Sequence, residues 1–141
     1  MRFLATIATV GALLGAADAA PSITTNTNGT VYSFADSCDS YSVHQSGTDV
    51  HLSASCRDKN GDWLYSELNL NHCIANSFGF MVARQDGNFG QTCNRMLFHG
   101  ARPVLYAFCS DGKYPQETVL DTGNFIDNED GRLICFGYYG Q

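Results

Sequence analysis

Two stretches of this chain carry the same landmarks in the same order, and that repetition limits the possible folds more than any single motif. Phe34 and Cys38 return as Phe89 and Cys93. A second cysteine then closes an apolar run in each stretch, Cys56 after Val50-His51-Leu52-Ser53-Ala54-Ser55 and Cys109 after Val104-Leu105-Tyr106-Ala107-Phe108. Each ends on Ile-x-Asn-x-x-Gly with an apolar residue two positions on: Ile74, Asn76, Gly79 and Met81, then Ile126, Asn128, Gly131 and Leu133. Cys93 follows Cys38 by 55 residues and Asn128 follows Asn76 by 52. A period of this length marks two like structural units. A unit of about fifty residues is small for a core of its own, and the joining segment Arg84-Gln85-Asp86-Gly87-Asn88 is too short to separate independent domains. Two halves sharing one core are therefore expected.

The start of the chain stands outside this pattern. Met1-Arg2 is a short basic start, Phe3 to Leu14 is apolar, and Ala17-Asp18-Ala19 fits a small-x-small cleavage site. Residues 1–19 read as a secretory signal peptide cut after Ala19; the apolar run is too short for a membrane anchor. Residues 20–30, rich in Thr, Asn and Ser, read as a flexible lead-in. Asn28-Gly29-Thr30 within them is a glycosylation sequon. The leader takes Arg2 and Asp18 with it, so the net charge of −6 is unchanged. An acidic chain with scattered Lys and Arg is a poor partner for nucleic acid or anionic membranes. The expected location is extracellular.

All six cysteines lie beyond the leader. In an oxidising compartment an even number forms a disulfide framework. Six cysteines allow fifteen pairings, and spacing alone does not choose among them. The repeat favours Cys38–Cys56 and Cys93–Cys109, equivalent loops in the two units, and leaves Cys73 for Cys135. No Cys-x-x-Cys or His-x-x-x-His pair suggests a metal, and no cofactor is called for.

From Phe34 onward the signals are short strands and turns. Val50, Leu52 and Ala54 alternate with His51 and Ser53. Asp58-Lys59-Asn60-Gly61-Asp62 is a turn, because Asn-Gly tolerates positive φ. Trp63 to Leu70 alternates with mixed character, Asn69 to Ile74 reads as one helical turn, and Phe80 to Ala83 as a strand. Turns recur at Ser110-Asp111-Gly112 and at Asp127 to Gly131. This spacing predicts an all-β domain, with Phe34, Leu52, Leu70, Ile74, Phe89, Leu105, Ile126 and Leu133 in its core.

The ordered pattern of Phe-x-x-x-Cys at Phe34 and Phe89, Glu67-Leu68-Asn69-Leu70-Asn71-His72-Cys73-Ile74-Ala75-Asn76, and Phe125-Ile126-Asp127-Asn128-Glu129-Asp130-Gly131-Arg132-Leu133 resembles the cyanovirin-N homology family, small lectins of cyanobacteria and filamentous fungi. The likeness covers residues 31–136, with repeats at 31–83 and 84–136 and a tail at 137–141. It implies an elongated all-β domain of two pseudo-symmetric halves that exchange strands. In such a fold Cys73 and Cys135 would come together, a bridge added to the two intra-repeat bridges of the founding pattern. It also implies metal-free binding of high-mannose glycans, one pocket per half, by a monomer or a domain-swapped dimer.

Carried over by position, the resemblance places one pocket at Ser33, Asp36, Ser37, Arg57, Lys59, Asn128, Glu129 and Asp130. Arg57 stands where the founding pattern has an acid and Asp36 where it has an amide, so an Arg57–Asp36 pair is expected. The other pocket falls on Asn76, Ser77, Asn88, Thr92 and the loop from Lys113 to Gln116. There Ala75 and Phe78 replace acids. Asn and Asp in turns also serve by bonding the local backbone, and for Asn76 and Asn128 both roles stay open.

Two further functions fit the chain less well. A small secreted ribonuclease would need a His and Glu acid–base pair, and His51 with Glu67 is the available candidate. The same fold could also serve as a secreted interaction protein without glycan binding, which drifted pocket residues such as Ala75 and Phe78 would suit.

Overall fold

A computed structural model describes residues 33–141. The leader, the segment 20–30 and the sequon at Asn28 lie outside the described residues. The first repeat begins with a 3-10 turn at Phe34–Asp36, followed by β1 (Cys38–Ser46), β2 (Asp49–Arg57) and β3 (Trp63–Asn69). A 3-10 turn at Leu70–His72 leads into β4 (Ile74–Ser77) and β5 (Phe80–Ala83). The second repeat copies this order: a turn at Phe89–Gln91, β6 (Cys93–Phe98), β7 (Val104–Ser110), β8 (Pro115–Asp121), a turn at Thr122–Asn124, β9 (Asp127–Glu129) and β10 (Arg132–Cys135). A short β11 (Tyr138–Tyr139) ends the chain.

The halves exchange their last hairpins. The sheet β1-β2-β3 packs against β10 of the second repeat, and β6-β7-β8 packs against β5 of the first. Each exchanged hairpin is fastened by one buried hydroxyl at an equivalent place. Ser66 Oγ accepts from Leu133 N at 3.0 Å, and Thr118 Oγ1 accepts from Met81 N at 3.0 Å. Both hydroxyls are buried where a free edge amide would otherwise go unsatisfied. One core then runs through both halves, with Phe34, Leu52, Leu70, Ile74, Phe89, Leu105, Ile126 and Leu133 all at 1 % exposure or less.

The three expected disulfides form. Cys38 faces Cys56 across β1 and β2, and Cys93 faces Cys109 across β6 and β7. Cys73–Cys135 ties the point where the first repeat crosses over to the end of β10. In the second repeat the corresponding places hold Phe125 and Ala83. The segment 137–141, read from sequence as a tail, is instead paired. Tyr138 and Tyr139 lie against β10, and Gln141 exchanges backbone hydrogen bonds with Glu67 at 2.8 and 2.9 Å. Phe136-Gly137, both at positive φ, turn the chain back to make this possible.

Candidate functional site

One asparagine organises each half. The Nδ2 of Asn128 donates to Ser37 Oγ (2.9 Å) and to the carbonyl of Arg57 (2.8 Å), while its Oδ1 accepts from Gly131 N (2.9 Å). In the other half Asn76 Nδ2 donates to Thr92 Oγ1 (2.8 Å) and to the carbonyl of Ser110 (2.8 Å), and its Oδ1 accepts from Gly79 N (2.8 Å). Each side chain closes its own hairpin turn and pins that turn to the start of the partner repeat. Gly131 and Gly79 follow residues already in left-handed conformation and have φ of 84° and 92° themselves, which a side chain rarely tolerates. Both amide hydrogens of each asparagine are consumed, so the backbone-bonding role holds for both.

Beside the Asn128 turn lies an open cleft of about 310 Å³ lined by Ser33, Asp36, Ser37, Asp127 and Asn128. Its walls are set by a capping box: Ser33 Oγ accepts from Ala35 N (3.2 Å) and Asp36 Oδ2 from Ser33 N (2.9 Å), the reciprocal pattern that fixes a helical N-terminus. Asp127 Oδ1 accepts from Asn128 N at 2.8 Å. Each carboxylate thus has one oxygen held by backbone, while the other has no hydrogen-bond partner among the described residues. The groove continues past Ala101, Arg102 and Pro103 to Asp121 and Asn124, sharing Ser33 and Asp36. Asp127 was not among the sequence candidates. The signal for it is its equivalence to Ala75, a position at which the resemblance implies an acid.

The remaining candidates of the first pocket separate. Lys59 and Asp130 form a clamp at the neighbouring loop: Asp130 Oδ1 accepts from Lys59 N at 2.9 Å, and Lys59 Nζ lies 3.5 Å from Oδ2. The Lys59 amide, and after it the Lys59 charge, holds the Asp130 carboxyl below its ordinary range. The expected Arg57–Asp36 pair does not form. The Arg57 guanidinium lies 4.6 Å over the Trp63 ring, its cross-strand neighbour, and Asp36 is already used in the capping box. Glu129 accepts from Tyr139 OH at 2.5 Å, which raises the Tyr139 phenol above its usual value. That contact belongs to the C-terminal strand and not to the cleft.

In the second half a buried alanine, Ala75, stands in the place of Asp127 and makes an isolated β-bridge with Asn88. The joining segment lies so close that a Cβ on Gly87 would overlap Ile74 O and Ala75. Asn88 takes a left-handed conformation, and its Nδ2 turns back to the carbonyl of Asp86 (3.1 Å). Thr92 is engaged by Asn76, and Ser77 is half-buried in the hairpin opposite Phe80. The loop of Lys113 to Gln116 is closed on Asp111, whose oxygens accept from Lys113 N, Tyr114 N and Gln116 Nε2 at 2.7 to 2.8 Å. Phe78 stands 84 % exposed at the turn.

A strand-exchanged, two-repeat β domain with a polar cleft at the closing turn defines a class, the cyanovirin-N type of lectin fold. The sequence matches the CVNH domain across residues 34–134, and the chain belongs to that family. A cyanovirin-N homolog of Tuber borchii is 32 % identical over 85 residues, 59 % of this chain and 81 % of that protein. Its solved structure superposes with a TM-score of 0.63 at 30 % identity, over 73 % of this chain and 98 % of the other. A designed cyanovirin-N homolog lectin gives 0.65 at 31 % identity, over 73 % and 98 %. A microvirin complex with mannobiose gives 0.59 at 28 % identity, over 74 % and 99 %.

Proposed function

We propose that this chain is a secreted lectin that binds mannose-type oligosaccharides without a metal, through the cleft of Ser33, Asp36, Ser37, Asp127 and Asn128. The observation that carries this reading is the pair of backbone-anchored carboxylates, Asp36 and Asp127, facing one open cleft with two serine hydroxyls. Sugar hydroxyls donate to carboxylates and exchange hydrogen bonds with serines, and charge-assisted bonds of this kind are the stronger ones. The mannobiose complex of microvirin supports the choice of sugar. A single cleft assembled from bonds worth about 0.5–1.5 kcal/mol each binds weakly, so tight binding calls for several chains on a crowded glycan. The leader and the three disulfides support passage through an oxidising compartment.

The test is titration of the purified, disulfide-bonded protein with mannobiose, followed by amide NMR. Shifts centred on Ser37, Asp127 and Asn128 are expected, together with at least tenfold weaker binding in Asp127→Ala. An unperturbed spectrum at millimolar sugar would sink the mannose reading and leave an interaction protein as the better account of the fold. Mass analysis of protein collected from the medium should find Ala20 as the first residue.

A further inference from the structure

Among the described residues one set of three metal-ligating side chains converges, and it lies away from the cleft. His44 and His51 face each other across β1 and β2, with rings stacked at 5.3 Å. His51 pairs with Asn69 on β3, which places Glu67, two residues earlier, on the same face of the sheet. His51 Nδ1 lies 2.9 Å from Glu67 Oε1. One ligand atom from each of the three side chains falls within 4.8 Å of the others. No sequence spacing announces this set, because cross-strand register assembles it.

We infer that His44, His51 and Glu67 form a three-ligand site for a late divalent transition metal such as zinc, with a fourth position open to water. Bonds of about 2.0–2.2 Å in a tetrahedral site put ligand atoms roughly 3.4 Å apart. The cation takes the place of the proton between His51 Nδ1 and Glu67 Oε1, which needs that pair to open by only a few tenths of an ångström. His44 is exposed, so its ring is free to rotate onto the ion. The other carboxylate oxygen, Glu67 Oε2, accepts from Tyr65 OH at 2.8 Å. An outer partner of this kind orients a ligating carboxylate. Two imidazoles and one carboxylate select zinc, copper or nickel over calcium or magnesium, which favour all-oxygen shells.

A cleft of about 390 Å³ opens beside His51 and Glu67, bordered by Leu68, Tyr138 and Tyr139. It supplies room for the fourth ligand. The corresponding places in the second repeat hold His99, Val104 and Val119, so the site exists in one half only. His51 and Arg57 are six residues apart on β2, about 20 Å at the rise of a strand. Metal binding is therefore independent of the cleft at Asn128.

Calorimetric titration of the tag-free full chain with zinc chloride tests this. One equivalent should bind, at least tenfold more weakly in His44→Gln, His51→Gln and Glu67→Gln, and about tenfold more weakly, the low end for an outer partner, in Tyr65→Phe. His99→Gln should bind as the parent does, and calcium chloride should give no comparable heat. As a check that needs no variant, copper(II) should broaden the amide resonances of His44, His51 and Glu67 before any others. Absence of zinc binding at millimolar concentration, unchanged binding in His51→Gln, or broadening centred on His99 overturns the assignment.

Discussion

The two halves of the molecule share a framework and differ on its outside. Asn128 and Asn76 make the same three hydrogen bonds to equivalent partners within about 0.1 Å. Ser66 and Thr118 fasten the exchanged hairpins in the same way. One layer further out the correspondence fails. Asp127 borders an open cleft, whereas its equivalent Ala75 is buried under the joining segment. Asp130 clamps the neighbouring loop, whereas Phe78 projects into solvent. Positions whose side chains cap a turn amide or satisfy a buried one match in the two halves, since a change there would leave a polar group unpaired. Positions that shape the rim differ.

The largest difference between the halves should come from the third disulfide, which has no counterpart at Phe125 and Ala83. Cys73–Cys135 spans 62 residues, against 18 for Cys38–Cys56 and 16 for Cys93–Cys109. Loop-closure entropy then predicts a loss of about 4 kcal/mol for Cys73→Ala/Cys135→Ala and about 3 kcal/mol for either intra-repeat pair. Urea unfolding of the three double variants measures the order. A smaller loss for the long bridge would show that strand exchange already restricts the unfolded chain there.

The asparagines offer the next effect, and here the halves should agree in stability while differing in function. Asn128→Ala and Asn76→Ala each remove three hydrogen bonds and strand a turn amide, a cost of roughly 2–3 kcal/mol. Only Asn128→Ala should also abolish mannobiose binding, because Asn76 has buried Ala75 beside it where Asn128 has the cleft carboxylate Asp127. Equal loss of binding in both variants would break the one-cleft reading.

How much of this could be read from the chain follows the same division. The fold, the core and the disulfides were legible because repeated cysteines and apolar residues report constraints that both halves obey. The strand exchange came through resemblance, and the packing of β5 on the second sheet and β10 on the first matches it. The candidate sites were legible only in part. Whether Asn128 meets sugar or backbone depends on which atoms lie within 3 Å, and sequence carries no such distance. Arg57 was placed against Asp36 by charge, but its cross-strand neighbour Trp63 offered an aromatic face. The segment 137–141 looked like a tail since five residues with two glycines show no period, yet Gln141 pairs with Glu67. The repeat does not mark Asp127, because its counterpart is Ala75, although the resemblance implies an acid at that position.

A smaller effect lies at the turn residues Phe78 and Asp130, which share the left-handed conformation with φ near 50°. A bulky residue is strained there, whereas Asp and Asn tolerate it. Phe78→Asn should therefore stabilise the protein by about 1 kcal/mol, visible as a higher thermal midpoint. Asp130→Asn keeps the conformation and loses only the exposed Lys59 contact, so its change should be smaller. The substitution at Phe78 should not create a second sugar site, because buried Ala75 still stands in the place of the cleft carboxylate Asp127. Binding of a second mannobiose by Phe78→Asn would show that the phenylalanine alone had closed that pocket.

The smallest effect separates the ways the two halves hold their loops. Asp111 fixes its own loop through the amides of Tyr114 and Lys113, and those bonds hold its carboxyl below the usual range. The first-half loop is fixed in the same way by its own Asp58, through the amides of Asn60 and Asp62, and Asp130 adds a bond from a different hairpin to the Lys59 amide. For Asp111 and Asp130 the folded carboxyl is the stronger acid. The stabilisation is therefore complete above the ordinary aspartate value, near 3.9, and is lost as pH falls through the lower folded value. Carboxyl-carbon NMR should find both midpoints depressed, with the Lys59 amide resonance moving as Asp130 takes up its proton. Lys59→Ala should leave most of the Asp130 shift in place, since the amide that causes it is backbone. A return of Asp130 to an ordinary midpoint in that variant would instead assign the shift to the lysine charge, and high salt in the parent protein should then reproduce it.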